Sequence, residues 1–89
     1  MAAALHVWSA TYTRAFDDLP VGVRASIERR VNEMGTNLTS FPHKRLTGRA
    51  EFKLRVGDYR VLYEFDLASG RLYLHYVGNR KAIYKTGGR

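Results

Sequence analysis

Residues 52–66 read FKLRVGDYRVLYEFD, and the fold turns on this stretch. Phe52, Leu54 and Val56 alternate with Lys53 and Arg55, the period of two that puts one side of a strand in a core and the other in water. Gly57-Asp58 supplies a tight turn. Tyr59 to Asp66 follows with the aromatic and β-branched residues that strands favour. The stretch therefore predicts a hairpin with Lys53 and Arg55 on the face opposite the apolar side chains. Downstream, Ser69-Gly70 makes a second turn, and Leu72 to Val77 (LYLHYV) reads as the third strand of a meander, followed by Gly78 and the tail NRKAIYKTGGR.

Working upstream, Thr39 to Arg49 contains Pro42 and Gly48 and reads as the main loop, exposing Lys44, Arg45 and Arg49. Before it the period changes. Val23, Ile27, Val31, Met34 and Leu38 fall at helical spacing along one buried stripe, with Gly35 and Asn37 marking the end. Arg24 with Glu28 and Arg29 with Glu33 stand at i,i+4 and are expected to pair on the outer faces. An earlier helix carries Tyr12, Phe16 and Leu19 on one stripe, starts after Ser9 as its cap and stops at Pro20. Leu5 to Trp8 reads as a short strand. The expected order is strand, helix, helix and three strands: an α+β fold with a helical hairpin packed on an antiparallel sheet. The 89 residues suit a single domain over 1–89 with one core.

Composition narrows the chemistry. Fifteen Lys and Arg against eight Asp and Glu give a net charge of +7, and all of it lies in the second half. Residues 1–43 hold four cations and four carboxylates, whereas residues 44–89 hold eleven cations and four carboxylates. So complete an asymmetry, dominated by arginine, favours a phosphate-binding surface over a merely solvated one. There is no cysteine, which removes disulfides, thiolate nucleophiles and Cys-based zinc sites. His6, His43 and His75 are far apart, with no HExxH-type spacing, so no metal site is expected. The opening MAAALHVW is too short for a membrane span and lacks a basic region before it, so a soluble cytoplasmic protein is expected.

The second half offers one constellation. Lys53 and Arg55 share a strand face, Arg60 comes from the neighbouring strand and Arg80 follows the last one. In an antiparallel meander such side chains can converge to bind a phosphodiester, or to stabilise charge developing on phosphorus. Taken singly, each is equally a solvated strand residue. Tyr84 adds a π-face near Arg80, where base stacking is worth ~1–3 kcal/mol. Tyr59, Tyr63, Tyr73 and Tyr76 are expected to pack within the sheet. His75 reads as a structural histidine, a proton donor only if the cations prove inert. Glu64 and Asp66 read as partners for nearby arginines.

These residues resemble a known family. LTGRAEFKLRVGDYRVLYEFD (Leu46 to Asp66) and LYLHYVGNRKAIYK (Leu72 to Lys85) look like the RelE/ParE superfamily of bacterial and archaeal toxins from toxin–antitoxin pairs, and the FDDLP of Phe16 to Pro20 is similar too. The resemblance implies a RelE-like microbial RNase fold whose open sheet face carries a basic site. In the RelE branch it further implies a toxin that enters the ribosomal A site and cuts mRNA there. The substrate's 2′-hydroxyl attacks the adjacent phosphate, so no metal or cofactor is implied. Residue by residue, Lys53 matches the family's lysine as proton acceptor, Arg60 and Arg80 match the arginines that clamp the phosphate, and Tyr84 matches the tyrosine that stacks on a base. Lys44, Arg45, Arg49, Arg55, Lys81 and Lys85 are the expected RNA- and ribosome-binding cations. Glu51 stands where some members have lysine and offers an alternative base. Asn79 stands where many have histidine, which leaves the acid open between Arg80 and a ribosome-bound water. A RelB-like antitoxin, acidic and partly disordered, is the implied partner. The alternatives are a ParE-like inhibitor of DNA gyrase without nuclease activity, and a non-toxic RNA-binding member.

Overall fold

A computed structural model describes residues 3–81. Seven elements follow one another: β1 (Leu5–Trp8), α1 (Ala10–Asp17), α2 (Val21–Thr36), β2 (Lys44–Arg45), β3 (Phe52–Val56), β4 (Tyr59–Asp66) and β5 (Arg71–Asn79). They form one five-stranded sheet of order β1-β5-β4-β3-β2 with the helices on one face. The α+β meander expected from periodicity is present. Gly57 and Gly70 take positive φ at the two hairpin turns, where a side chain would be strained.

The helices start and stop for local reasons. Ser9 caps α1, its hydroxyl accepting from Tyr12 N–H at 3.0 Å, which satisfies one of the donors a helix N-terminus leaves unpaired. Pro20 directly precedes α2 with φ −58°. At the far end Asn37 Nδ2 donates to Glu33 O at 3.0 Å and so covers a terminal carbonyl. Glu33 pairs with Arg30 at 2.9 Å, three residues away, rather than with Arg29, which reaches Ser26 instead. Such exposed pairs contribute little. The core is the expected stripe of Tyr12, Phe16, Ile27, Val31, Met34 and Leu38 against Leu54, Val61, Tyr63, Leu72, Leu74 and Val77 of the sheet.

Two features depart from the expected antiparallel sheet. β1 lies beside β5 and runs parallel to it, so the sheet is mixed. Parallel neighbours need a long connection between them, here supplied by both helices and the meander, and nothing in a strand's own period encodes its direction. The expected loop also contains β2, whose two residues pair with β3. A strand that short shows no period in sequence. Among the described residues no helix is long and apolar enough to cross a membrane.

Candidate nucleic-acid interface

The register decides which cations meet. Lys44 lies opposite Lys53, which lies opposite Leu62, and Arg55 lies opposite Arg60, which lies opposite Gly78. Directly opposed residues share a face, and the intervening Leu54, Val61 and Val77 are buried under the helices. Lys44, Lys53, Arg55 and Arg60 therefore occupy the open face, as expected for the last three. The sheet sets like charges opposite one another twice, at a cost of several tenths of a kcal/mol for each pair. A purely structural sheet has no use for that arrangement.

These side chains border a cleft of about 320 Å³ at the β3 edge, completed by Arg30, Phe41, Pro42 and Leu54. No carboxylate lines it. Arg30 and Phe41 were not expected there. Arg30 lies on the polar side of α2, and only packing brings its guanidinium to 5.3 Å from the Phe41 ring, within cation–π range. The Phe41 segment is held in place by His43, whose role no local sequence signal announces. His43 Nε2 lies 2.8 Å from Leu38 O, a carbonyl that only accepts, so Nε2 carries the proton and Nδ1 accepts from the Tyr63 hydroxyl at 2.6 Å. Its ring stacks on Phe65 at 4.0 Å. Burial pushes the Tyr63 hydroxyl up to about 12, which keeps it a donor throughout the neutral range.

Arg60 is not a free clamp. It is buried at 8% exposure, and its Nη1 donates to Gly57 O and Tyr59 O, both at 3.0 Å. The guanidinium thus braces the β3–β4 turn while its Nε and Nη2 make no hydrogen bond among the described residues. Arg80 is exposed and joins the same turn through its backbone, N–H to Asp58 O at 3.0 Å, so both arginines stand at one end of the open face. Lys81 is exposed beyond it. Tyr84 and Lys85 lie outside the described residues.

The other expected RNA-binding cations sit elsewhere. Arg45 covers the Phe52 ring at 4.5 Å and donates to Ala50 O at 3.3 Å. Arg49 grips Glu51 with two bonds, Nε to Oε1 at 2.9 Å and Nη2 to Oε2 at 2.8 Å. Those bonds hold the Glu51 carboxyl below the usual carboxylate range, with smaller help from the charges of Arg49 and His75, so both oxygens of the alternative base are engaged. Among the described residues Glu64 and Asp66 do not serve arginines. Glu64 pairs with His75 at 3.0 Å, and Asp66 accepts from Ala68 N–H at 3.1 Å inside the turn. Among the described residues no three His, Asp or Glu side chains are grouped to hold a metal ion.

A helical hairpin backing one face of a five-stranded mixed sheet is the α+β fold of the RelE toxins. The isolated RelE toxin of Escherichia coli matches with a TM-score of 0.73 at 17% identity, covering 97% of this chain and 96% of that one. A chain of a RelBE toxin–antitoxin complex from Mycobacterium tuberculosis matches with a TM-score of 0.75 at 23% identity, over 90% and 94% of the two chains. A chain of the RelB–RelE antitoxin–toxin complex from Methanococcus jannaschii gives 0.69 at 20% identity, over 90% and 96%. No protein-family model matches the sequence and no curated protein matches it. At these identities the likeness is one of fold.

Proposed function

We propose that this chain is the toxin of a RelE-type toxin–antitoxin pair, a metal-independent endoribonuclease that acts in the cytoplasm and cuts mRNA in the ribosomal A site. The observation that carries the reading is the carboxylate-free cleft, with like-charged pairs opposed across the open face of a RelE fold. A polyanion bound there relieves the opposed charges and releases its own counterions.

The chemistry follows from the cations. Arg80 and the free edge of the Arg60 guanidinium, at one end of the face, bind the non-bridging oxygens of the scissile phosphate and stabilise the charge that grows there as the 2′-oxygen attacks. Lys53 accepts the 2′-proton. Arg55 and Lys44 take neighbouring phosphates, and Tyr84 stacks on a base. The products are a 2′,3′-cyclic phosphate and a 5′-hydroxyl. Known RelE chains form complexes with RelB antitoxins, and an acidic, partly disordered antitoxin complements a chain carrying +7.

Primer-extension mapping of a defined mRNA in a reconstituted translation system tests this. The expected result is cleavage within A-site codons only when ribosomes are present, abolished by Arg80→Ala. Growth arrest without cleavage, accompanied by inhibition of supercoiling, would replace the reading with a gyrase inhibitor.

A further inference from the structure

One group on the open face is unused by the chemistry above. Between the pairs Leu62–Tyr76 and Tyr63–Leu74 the register shifts, so β5 carries one residue more than β4, and that residue is His75. A bulge of this kind breaks the alternation of a strand and re-aims a side chain. Leu74 and Val77 are both buried at 1% exposure, and the two residues between them are left to the open face. There His75 Nε2 meets Glu64 Oε2 at 3.0 Å. A carboxylate only accepts, so Nε2 carries the proton. Nδ1 has no hydrogen-bond partner among the described residues.

The bulge is fixed from behind. Ser9, the cap of α1, donates its hydroxyl to His75 O at 2.9 Å and its backbone N–H to Leu74 O at 3.1 Å. The imidazole is therefore set by two backbone anchors and a carboxylate, and its side chain remains 36% exposed. Lys53 lies opposite Leu62, which lies opposite Tyr76, the neighbour of His75. Two strand spacings put the strands of Lys53 and His75 roughly 10 Å apart. Side chains leaning in from that separation flank a single phosphodiester.

From this geometry we infer that His75, oriented by Glu64, is the general acid of the proposed cleavage; the inference rests on the nuclease reading. As the 2′-oxygen forms its bond to phosphorus and gives its proton to Lys53, the P–O5′ bond breaks. Its electron pair stays on O5′, which takes the proton from His75 Nδ1. Glu64 is a positioning residue that presents Nδ1 to the substrate. The Glu51 carboxylate, held by Arg49, also lies within electrostatic reach of the ring.

The test is single-turnover cleavage of ribosome-bound mRNA whose scissile phosphate carries either the natural 5′-oxygen or a 5′-bridging sulfur, which departs without protonation. His75→Asn is expected to slow the oxygen substrate by about 100-fold or more. On the sulfur substrate it should stay within about threefold of the unmodified protein. Glu64→Gln should slow the oxygen substrate and spare the sulfur substrate, because the ring loses the carboxylate that orients it. Equal losses on both substrates, or an undiminished rate on oxygen, would overturn the assignment while leaving the nuclease reading intact. If His75→Asn does not fold, equal losses on the two substrates in Glu64→Gln overturn it. Absence of cleavage of either substrate by the unmodified protein would overturn the nuclease reading itself.

Discussion

Replacing Arg60 by methionine separates two roles that the structure assigns to one side chain. Methionine keeps the buried stem and deletes the guanidinium, and with it two charge-assisted bonds at 3.0 Å to Gly57 O and Tyr59 O. Bonds of that type contribute about 1.5–3 kcal/mol each. Two effects reduce the sum: Gly57 is exposed, so water replaces one partner, and removing the charge relieves its opposition to Arg55, worth ~0.2–1 kcal/mol. The net expectation is a loss of about 2 kcal/mol, or roughly 8–16 °C in Tm for a domain of this size. Lys53→Met is the control. The Lys53 side chain makes no hydrogen bond among the described residues and lies opposite Lys44, so its removal should change stability by less than about 0.5 kcal/mol. Thermal melts followed by far-UV circular dichroism, with cleavage measured separately below both midpoints, read the two roles. Both variants should lose cleavage, and only Arg60→Met should lose stability. An Arg60→Met protein that melts with Lys53→Met would refute the bracing role, and one that still cuts at full rate would refute the phosphate role.

Three further outcomes are expected. Binding of a non-cleavable 2′-deoxy oligonucleotide should weaken with salt, the logarithmic slope changing by about 0.7 for each phosphate the protein no longer neutralises; Lys44→Met and Arg55→Met should each flatten it by that step, and a slope near zero in the parent would contradict the electrostatic argument. Tyr63→Phe deletes the donor to His43 Nδ1 at 2.6 Å and should cost about 1–3 kcal/mol in urea denaturation; an unchanged midpoint would show that His43 does not hold the cleft wall. Burial lowers the pKa of His6 from 6.5. The folded state therefore favours the neutral ring, its contribution is complete above pH 6.5 and is lost as pH falls from there toward the folded pKa. Comparing urea midpoints at pH 7.5 and 5.5 for the parent and His6→Gln should show the smaller pH dependence in the variant.

Much of the architecture was legible because the decisive signals are local. The alternation around Lys53, the glycines at the turns and the helical stripe from Val23 to Met34 each depend on neighbours a few residues away. The Ser9 cap was readable for the same reason. The candidate site was legible in part: Lys53, Arg55 and Arg60 follow from strand parity once the hairpin is recognised. Arg30 and Phe41 were not, because they reach the cleft through the packing of α2 and the segment after it. The pairing of Glu64 was not legible. Its partner was expected to be an arginine, and a bulge eleven residues away supplies a histidine.

By itself the sequence determined the class of fold, the placement of all net charge after His43 and the face of β3 that carries the cations, since periodicity and composition are written along the chain. Only the tertiary structure decided that β1 runs parallel to β5, that Arg60 is committed to a turn, and that His75 faces Glu64 outside the core. Strand direction, burial of a charged group and the extra residue of a bulge are relations between segments. They depend on which residues lie opposite one another, and that becomes fixed only when the sheet closes its register.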